Sequence, residues 1–100
     1  RRRVVSGMPG KTGLVYTLDA QSGELLWARE TIHQNVIADI DARSGRVRID
    51  EARVPKPYEE MLVCPGNAGG KNWMAGAYSP RTRLMYQPLL NACMLQTGTA

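Results

Sequence analysis

The sequence predicts an all-β chain of antiparallel hairpins, and three observations carry that prediction. No segment keeps the i, i+3, i+4, i+7 apolar spacing of an amphipathic helix for three turns without a breaker. Ten Gly and six Pro punctuate short runs containing Val, Ile, Thr and Tyr. Finally, Leu18-Asp19-Ala20-Gln21-Ser22-Gly23-Glu24-Leu25-Leu26-Trp27 returns 22 residues later as Ile40-Asp41-Ala42-Arg43-Ser44-Gly45-Arg46-Val47-Arg48-Ile49. A weaker echo runs from Tyr78-Ser79-Pro80 through Arg83 to Tyr86.

Each element follows from that pattern. Strands are predicted at 13–18, 24–28, 35–40 and 46–49, with a polar turn or loop between successive strands. In both repeats the Asp side chain can accept turn N–H groups, the Ser hydroxyl can do the same, and Gly23 or Gly45 supplies the positive φ that returns the chain. The segment 51–58 contains Pro55 and Pro57, which forbid a central strand, and it reads as a linker. Further strands are predicted at 61–64, 72–78 and 84–87. Two hairpins in roughly forty residues make a four-stranded antiparallel blade. About two blades are therefore expected, one over residues 1–50 and the next over 59–100. Two blades neither close a ring nor bury both faces, so the chain is expected to be a piece of something longer.

Composition narrows the function. The 100 residues are 43% hydrophobic and carry 13 basic against 9 acidic side chains, which fits one globular-sized unit of net charge +4. No run approaches the roughly 20 apolar residues of a membrane-spanning helix. Val4-Val5-Ser6-Gly7 after Arg1-Arg2-Arg3 is too short for a signal-peptide core. Beyond those three, the Arg are scattered, Phe is absent, and no aromatic platform alternates with basic residues. The excess charge therefore reads as a solvated basic surface rather than a nucleic-acid interface. His33 has no Ser or Cys nucleophile at a recognisable spacing. Glu59 and Glu60 are adjacent and point to opposite sides of an extended chain. Gly10-Lys11-Thr12 lacks the earlier Gly and the following helix of a phosphate-binding loop. Cys64 and Cys93 have only His33 to join them, so zinc is poorly supported; a disulfide is the better reading, with two reduced thiols the alternative.

Three segments together resemble one family. Thr17 through Trp27 resembles the tryptophan docking motif Ala-x-Asp-x-x-Thr-Gly-x-x-x-Trp of the pyrroloquinoline quinone (PQQ) propellers, with Thr17 in the Ala position and Ser22 in the Thr position. Non-catalytic propellers that scaffold outer-membrane protein assembly carry similar repeats, so this motif alone implies only a blade. Gly10-Lys11-Thr12-Gly13-Leu14-Val15-Tyr16 resembles the active-site strand of the PQQ-dependent quinoprotein alcohol and methanol dehydrogenases. Cys64-Pro65-Gly66-Asn67-Ala68-Gly69-Gly70-Lys71-Asn72-Trp73 resembles their next cofactor-contacting loop. The likeness extends to Asn91-Ala92-Cys93-Met94. Departures are Arg83, at a turn position where Gly is usual, and Ile49 in place of the second docking Trp.

The resemblance implies an eight-bladed propeller of the periplasm that oxidises an alcohol with PQQ and passes electrons to a cytochrome c. It implies that Lys11 hydrogen-bonds the reactive quinone oxygens and that Asn72 adds an amide donor, with the Gly69-Gly70 pair letting backbone approach the cofactor. Trp73 is implied as a wall or support of the pocket, whereas Trp27 packs between blades. The same family has a cysteine pair in the motifs of Cys64 and Cys93. Read without the family, Lys11 is a solvent-facing turn lysine, Asn72 a turn-stabilising amide and Trp73 a packing residue. Lys71 is expected to face away from Asn72 on an alternating strand. The Ca²⁺ or lanthanide ligands and the Asp base are implied ahead of Arg1. No catalytic or metal residue is therefore assigned here, and the chain alone is expected to be inactive.

Overall fold

Short β-rich runs broken by Gly and Pro favour small antiparallel sheets, and the computed structural model, which describes residues 1–99, shows that result. Ala100, the last residue of the second expected blade, lies outside the described residues. The chain forms β1 (Val4–Gly7), β2 (Leu14–Asp19), β3 (Leu25–Glu30), β4 (Ile37–Ile40), β5 (Val47–Ile49), β6 (Glu60–Val63), β7 (Ala77–Ser79), β8 (Leu84–Tyr86) and β9 (Met94–Thr97). The first three make one sheet in the order β1-β2-β3, and the others pair as β4-β5, β7-β8 and β6-β9. Every one of these pairings is antiparallel. No α-helix occurs among the described residues; a single 3-10 turn spans Glu51–Arg53 within the expected linker.

The repeated turns form as their residues dictate. In the first, Asp19 Oδ1 accepts from the N–H of Gln21 at 2.8 Å and of Ser22 at 3.0 Å, while Gly23 N–H donates to Asp19 O at 2.9 Å. The second repeats this with Arg43 N–H to Asp41 Oδ1 at 2.9 Å and Gly45 N–H to Asp41 O at 2.8 Å. Gly23 and Gly45 have φ of 76° and 72°. The third turn closes identically, Arg83 N–H to Ser79 O at 2.7 Å, but with Arg83 at φ 58° where the others have Gly. The weak echo in sequence is thus the same turn in structure.

Two strands exceed expectation and one falls short. β1 completes the first sheet against β2, from Val4 opposite Asp19 to Gly7 opposite Tyr16. β9 returns to β6, Val63 opposite Met94, and so encloses the β7-β8 hairpin. The strand predicted over 72–78 forms only at Ala77–Ser79: Gly76 interrupts the run, and the chain bends at residues 71 and 73 instead.

The core is small and lies where the first half of β2 meets the chain entering β4 and the residue that follows β6. Leu14, Val15 and Cys64 are its buried apolar residues. Thr17 is buried with its hydroxyl 2.7 Å from that of Ser6. Buried Gln34 is fully satisfied: its Nε2 donates to Glu30 Oε1 and to Ile37 O at 2.8 Å, and its Oε1 accepts from Val36 and Ile37 N–H. That satisfaction is the condition for a polar side chain to sit in a core this thin.

Candidate functional site

Lys11 lies in the turn between β1 and β2 and reaches across to the loop following β6. Its ammonium donates to Asn67 O at 2.9 Å, and its own carbonyl accepts from Gly70 N–H at 2.7 Å. Asn72 closes the same loop: its Nδ2 donates to Ala68 O at 2.7 Å and its Oδ1 accepts from Trp73 N–H at 2.8 Å. The two sequence-predicted donors therefore bond successive carbonyls of one turn. After these bonds the ammonium retains further N–H donors and the Asn72 amide retains one. Trp73 follows directly and is 87% exposed, its ring uncovered by this chain.

The loop is held from below by several independent bonds. Gly69 N–H returns to Gly66 O at 2.8 Å, Gly66 N–H donates to Ala92 O at 2.9 Å, and Leu90 N–H donates to Gly70 O at 2.8 Å. Asn67 N–H points at Met94 Sδ, 3.2 Å away. A disulfide joins Cys64 to Cys93, with Cα atoms 4.4 Å apart, one step beyond the Val63–Met94 pair of the β6-β9 ladder. It links positions 29 residues apart. Loop-closure entropy for such a link contributes about 3–4 kcal/mol.

One expectation changes, that for Lys71. The Gly69-Gly70 pair packs closely on protein: a Cβ on Gly69 would lie 2.8 Å from Lys11 Cβ, and one on Gly70 would collide with Ile32 Cδ1. Lys71 does not stand on an alternating strand, because none forms there, so alternation does not orient it away from Asn72. Trp27 is 46% exposed beside an open groove of about 440 Å³ shared with Leu14, Ile37 and Ile40. His33 is exposed in the connection from β3 to β4. No group of three or more His, Cys, Asp or Glu able to hold a metal exists among the described residues.

Comparison with known proteins bears on the loop and strand together. A lanthanide-dependent methanol dehydrogenase of Methylacidiphilum fumariolicum is 34% identical over 89 residues, covering 88% of this chain and 15% of that protein. The dehydrogenase subunit of an alcohol dehydrogenase (quinone) of Komagataeibacter europaeus is 32% identical over 98 residues, covering 97% of this chain and 13% of that one. The solved structure of a europium-containing methanol dehydrogenase superposes on the whole chain with a TM-score of 0.84 and 27% identity, using 17% of its own length. The chain belongs to the quinoprotein alcohol and methanol dehydrogenase family. No family model matches it. Its antiparallel sheets are those of this family's β-propeller, and it spans between 13% and 17% of the length of these quinoprotein dehydrogenases.

Sequence reasoning missed what supports the quinoprotein loop. Asn67 and Ala68 take part through main-chain carbonyls, which carry no side-chain signature. Ile32 and Asn35, from the connection between β3 and β4, press on Gly70 and bond β6 respectively. Only the glycine pair signalled that something must come close.

Proposed function

We propose that the protein carrying this chain is a PQQ-dependent alcohol dehydrogenase and that Lys11, Asn72 and Trp73 belong to its quinone site. The observation that carries this reading is the convergence of Lys11 and Asn72 on the adjacent carbonyls of Asn67 and Ala68. PQQ is a planar ortho-quinone with three carboxylates, which needs cationic and amide donors around its oxygens and flat walls beside its ring. The residues present fit that need: an ammonium and an amide with N–H groups to spare, next to an exposed indole.

Bound PQQ supplies the acceptor for the hydride leaving the alcohol carbon. Lys11 and Asn72 hold that acceptor by donating to its oxygens, and the positive charge of Lys11 favours the developing negative charge. The alcohol proton goes to an Asp base outside this chain, where the ligands for Ca²⁺ or a lanthanide also lie. The product is an aldehyde or ketone, and the two electrons pass on to a cytochrome c. The Cys64–Cys93 disulfide supports residence in an oxidising compartment, the periplasm. We assign residues 1–50 and 59–100 to successive blades; β1 to β5 fall in the first range and β6 to β9 in the second.

The test is PQQ titration of the complete protein, with Ca²⁺ or a lanthanide supplied, followed by absorbance or fluorescence. Lys11→Ala and Asn72→Ala should each weaken binding about tenfold or more, the scale of losing a hydrogen bond to a charged partner. A folded propeller that binds no PQQ would instead return the reading to a non-catalytic scaffold.

A further inference from the structure

The segment between β3 and β4 touches both halves of the candidate site without contributing to it directly. Thr31 Oγ1 donates to Gly13 O, two residues beyond Lys11. The Ile32 side chain fills the space beside two glycines, 13 and 70, so that any Cβ there would meet it. Asn35 then binds the end of β6 and the residue after it with three bonds: its Nδ2 donates to Leu62 O at 2.9 Å, its Oδ1 accepts from Cys64 N–H at 2.8 Å, and its main-chain N–H donates to Cys64 O at 2.9 Å. Residues 62 and 64 are two apart and present their main-chain groups to the same edge of the strand. The Asn35 amide thus does for this edge what a neighbouring strand would do, at the point where the 66–72 loop begins.

We infer that Asn35 is a positioning residue for the quinone site, acting through Cys64 and the 66–72 loop on the Lys11 and Asn72 donors. This rests on the PQQ reading above. An asparagine suits the position because one planar group must both donate and accept. Aspartate keeps the shape but presents a second acceptor to Leu62 O, and alanine abandons both side-chain bonds. With the side-chain amide gone, Cys64 N–H loses its partner, and the loop origin keeps the main-chain bond from Asn35 N–H to Cys64 O, the Val63–Met94 pair, the disulfide and the Gly66 bond but no side-chain bond to the strand edge. A loop displaced by a fraction of an ångström moves Asn67 O and Ala68 O, and with them the side chains that bond them.

The experiment measures PQQ affinity and thermal stability together in the complete, metal-supplied protein, for Asn35→Asp, Asn35→Ala, Lys11→Ala and the double variant Lys11→Ala/Asn35→Ala. Asn35→Asp should fold and weaken PQQ binding about five- to tenfold. The double variant should bind little worse than Lys11→Ala alone, because both changes act on one network. Asn35→Gln, which keeps both functional groups, should recover part of the affinity. Unchanged PQQ affinity in Asn35→Asp with only a lowered melting temperature would overturn the inference while leaving the PQQ reading intact. Fully additive losses would overturn it too, by showing that Asn35 acts apart from Lys11. If the wild type fails to bind PQQ, or Lys11→Ala binds as well as wild type, the PQQ reading itself fails and the inference falls with it. Should Asn35→Ala not fold, Asn35→Asp and Ile32→Val against the same Lys11→Ala background decide the matter.

Discussion

Two glycines with nearly the same backbone separate conformational need from packing need. Gly23 and Gly69 have φ of 76° and 77°, but a Cβ on Gly23 would meet nothing within 4 Å, whereas on Gly69 it would lie 2.8 and 2.9 Å from Cβ and Cγ of Lys11. Gly23→Ala should therefore cost only the left-handed backbone penalty, about 1–2 kcal/mol, and leave PQQ affinity as it was. Gly69→Ala should cost more and also displace Lys11, lowering PQQ affinity; thermal melts beside PQQ titrations of the complete protein distinguish the two. Arg83 makes the complementary case. It holds φ 58° in the third turn, where the other two copies have Gly. Arg83→Gly removes that penalty and gives back part of it as unfolded-chain entropy, for a net gain of about 0.5–1 kcal/mol in a denaturant melt. A loss of stability would mean that the arginine side chain contributes something its exposed position does not show.

At the scale of elements, the hairpin turns carry the pH dependence. The N–H groups of Ser22 and Gln21, aided by the Arg2 guanidinium 3.2 Å from the carboxylate, hold Asp19 below the ordinary carboxylate value. The Ser44 hydroxyl, then the Arg43 N–H, do the same for Asp41. A folded pKa below the unfolded value of about 3.9 means that each turn's contribution is complete above that pH and is lost as pH falls through the folded value. Replacing both with Asn should flatten the acid limb of a stability-versus-pH curve below about pH 4 and leave its slope unchanged at neutral pH. These turns were also the most legible elements, because Asp, Ser and Gly act through contacts within five residues. β1 and β9 were not legible: each is four residues long, and each exists because another strand offers it an edge, the next one, β2, for β1 and the distant β6 for β9. The site divides in the same way. Lys11, Asn72 and the cysteine pair stand out as residue types in recognisable segments, whereas the carbonyls of Asn67 and Ala68 and the support from Ile32 and Asn35 arise only when residues far apart in sequence are brought together.

For the molecule as a whole, too little of the surface is buried to hold the chain together. Its described residues form a slab with extents of 52 × 29 × 18 Å in which the buried apolar set is Leu14, Val15 and Cys64. Against that stand Val5 at 60% exposure, Ile49 at 54%, Tyr78 at 64% and Leu95 at 65%, with half-exposed Trp27 beside its open groove. Blades elsewhere in a propeller pack on such faces, and a repeat that cannot bury its faces takes most of its stability from its neighbours. The disulfide lowers the entropy of the unfolded chain without supplying the missing contacts. We therefore expect residues 1–100, expressed alone with the disulfide formed, to show no sharp thermal transition in near-ultraviolet circular dichroism, to bind a hydrophobic dye and to self-associate. The same segment within the complete protein should be protected from amide exchange along β2, β3 and β6. A monomeric isolated chain that unfolds in one cooperative step, with calorimetric and van't Hoff enthalpies in agreement, would overturn this expectation and show that the hairpins and the disulfide suffice on their own.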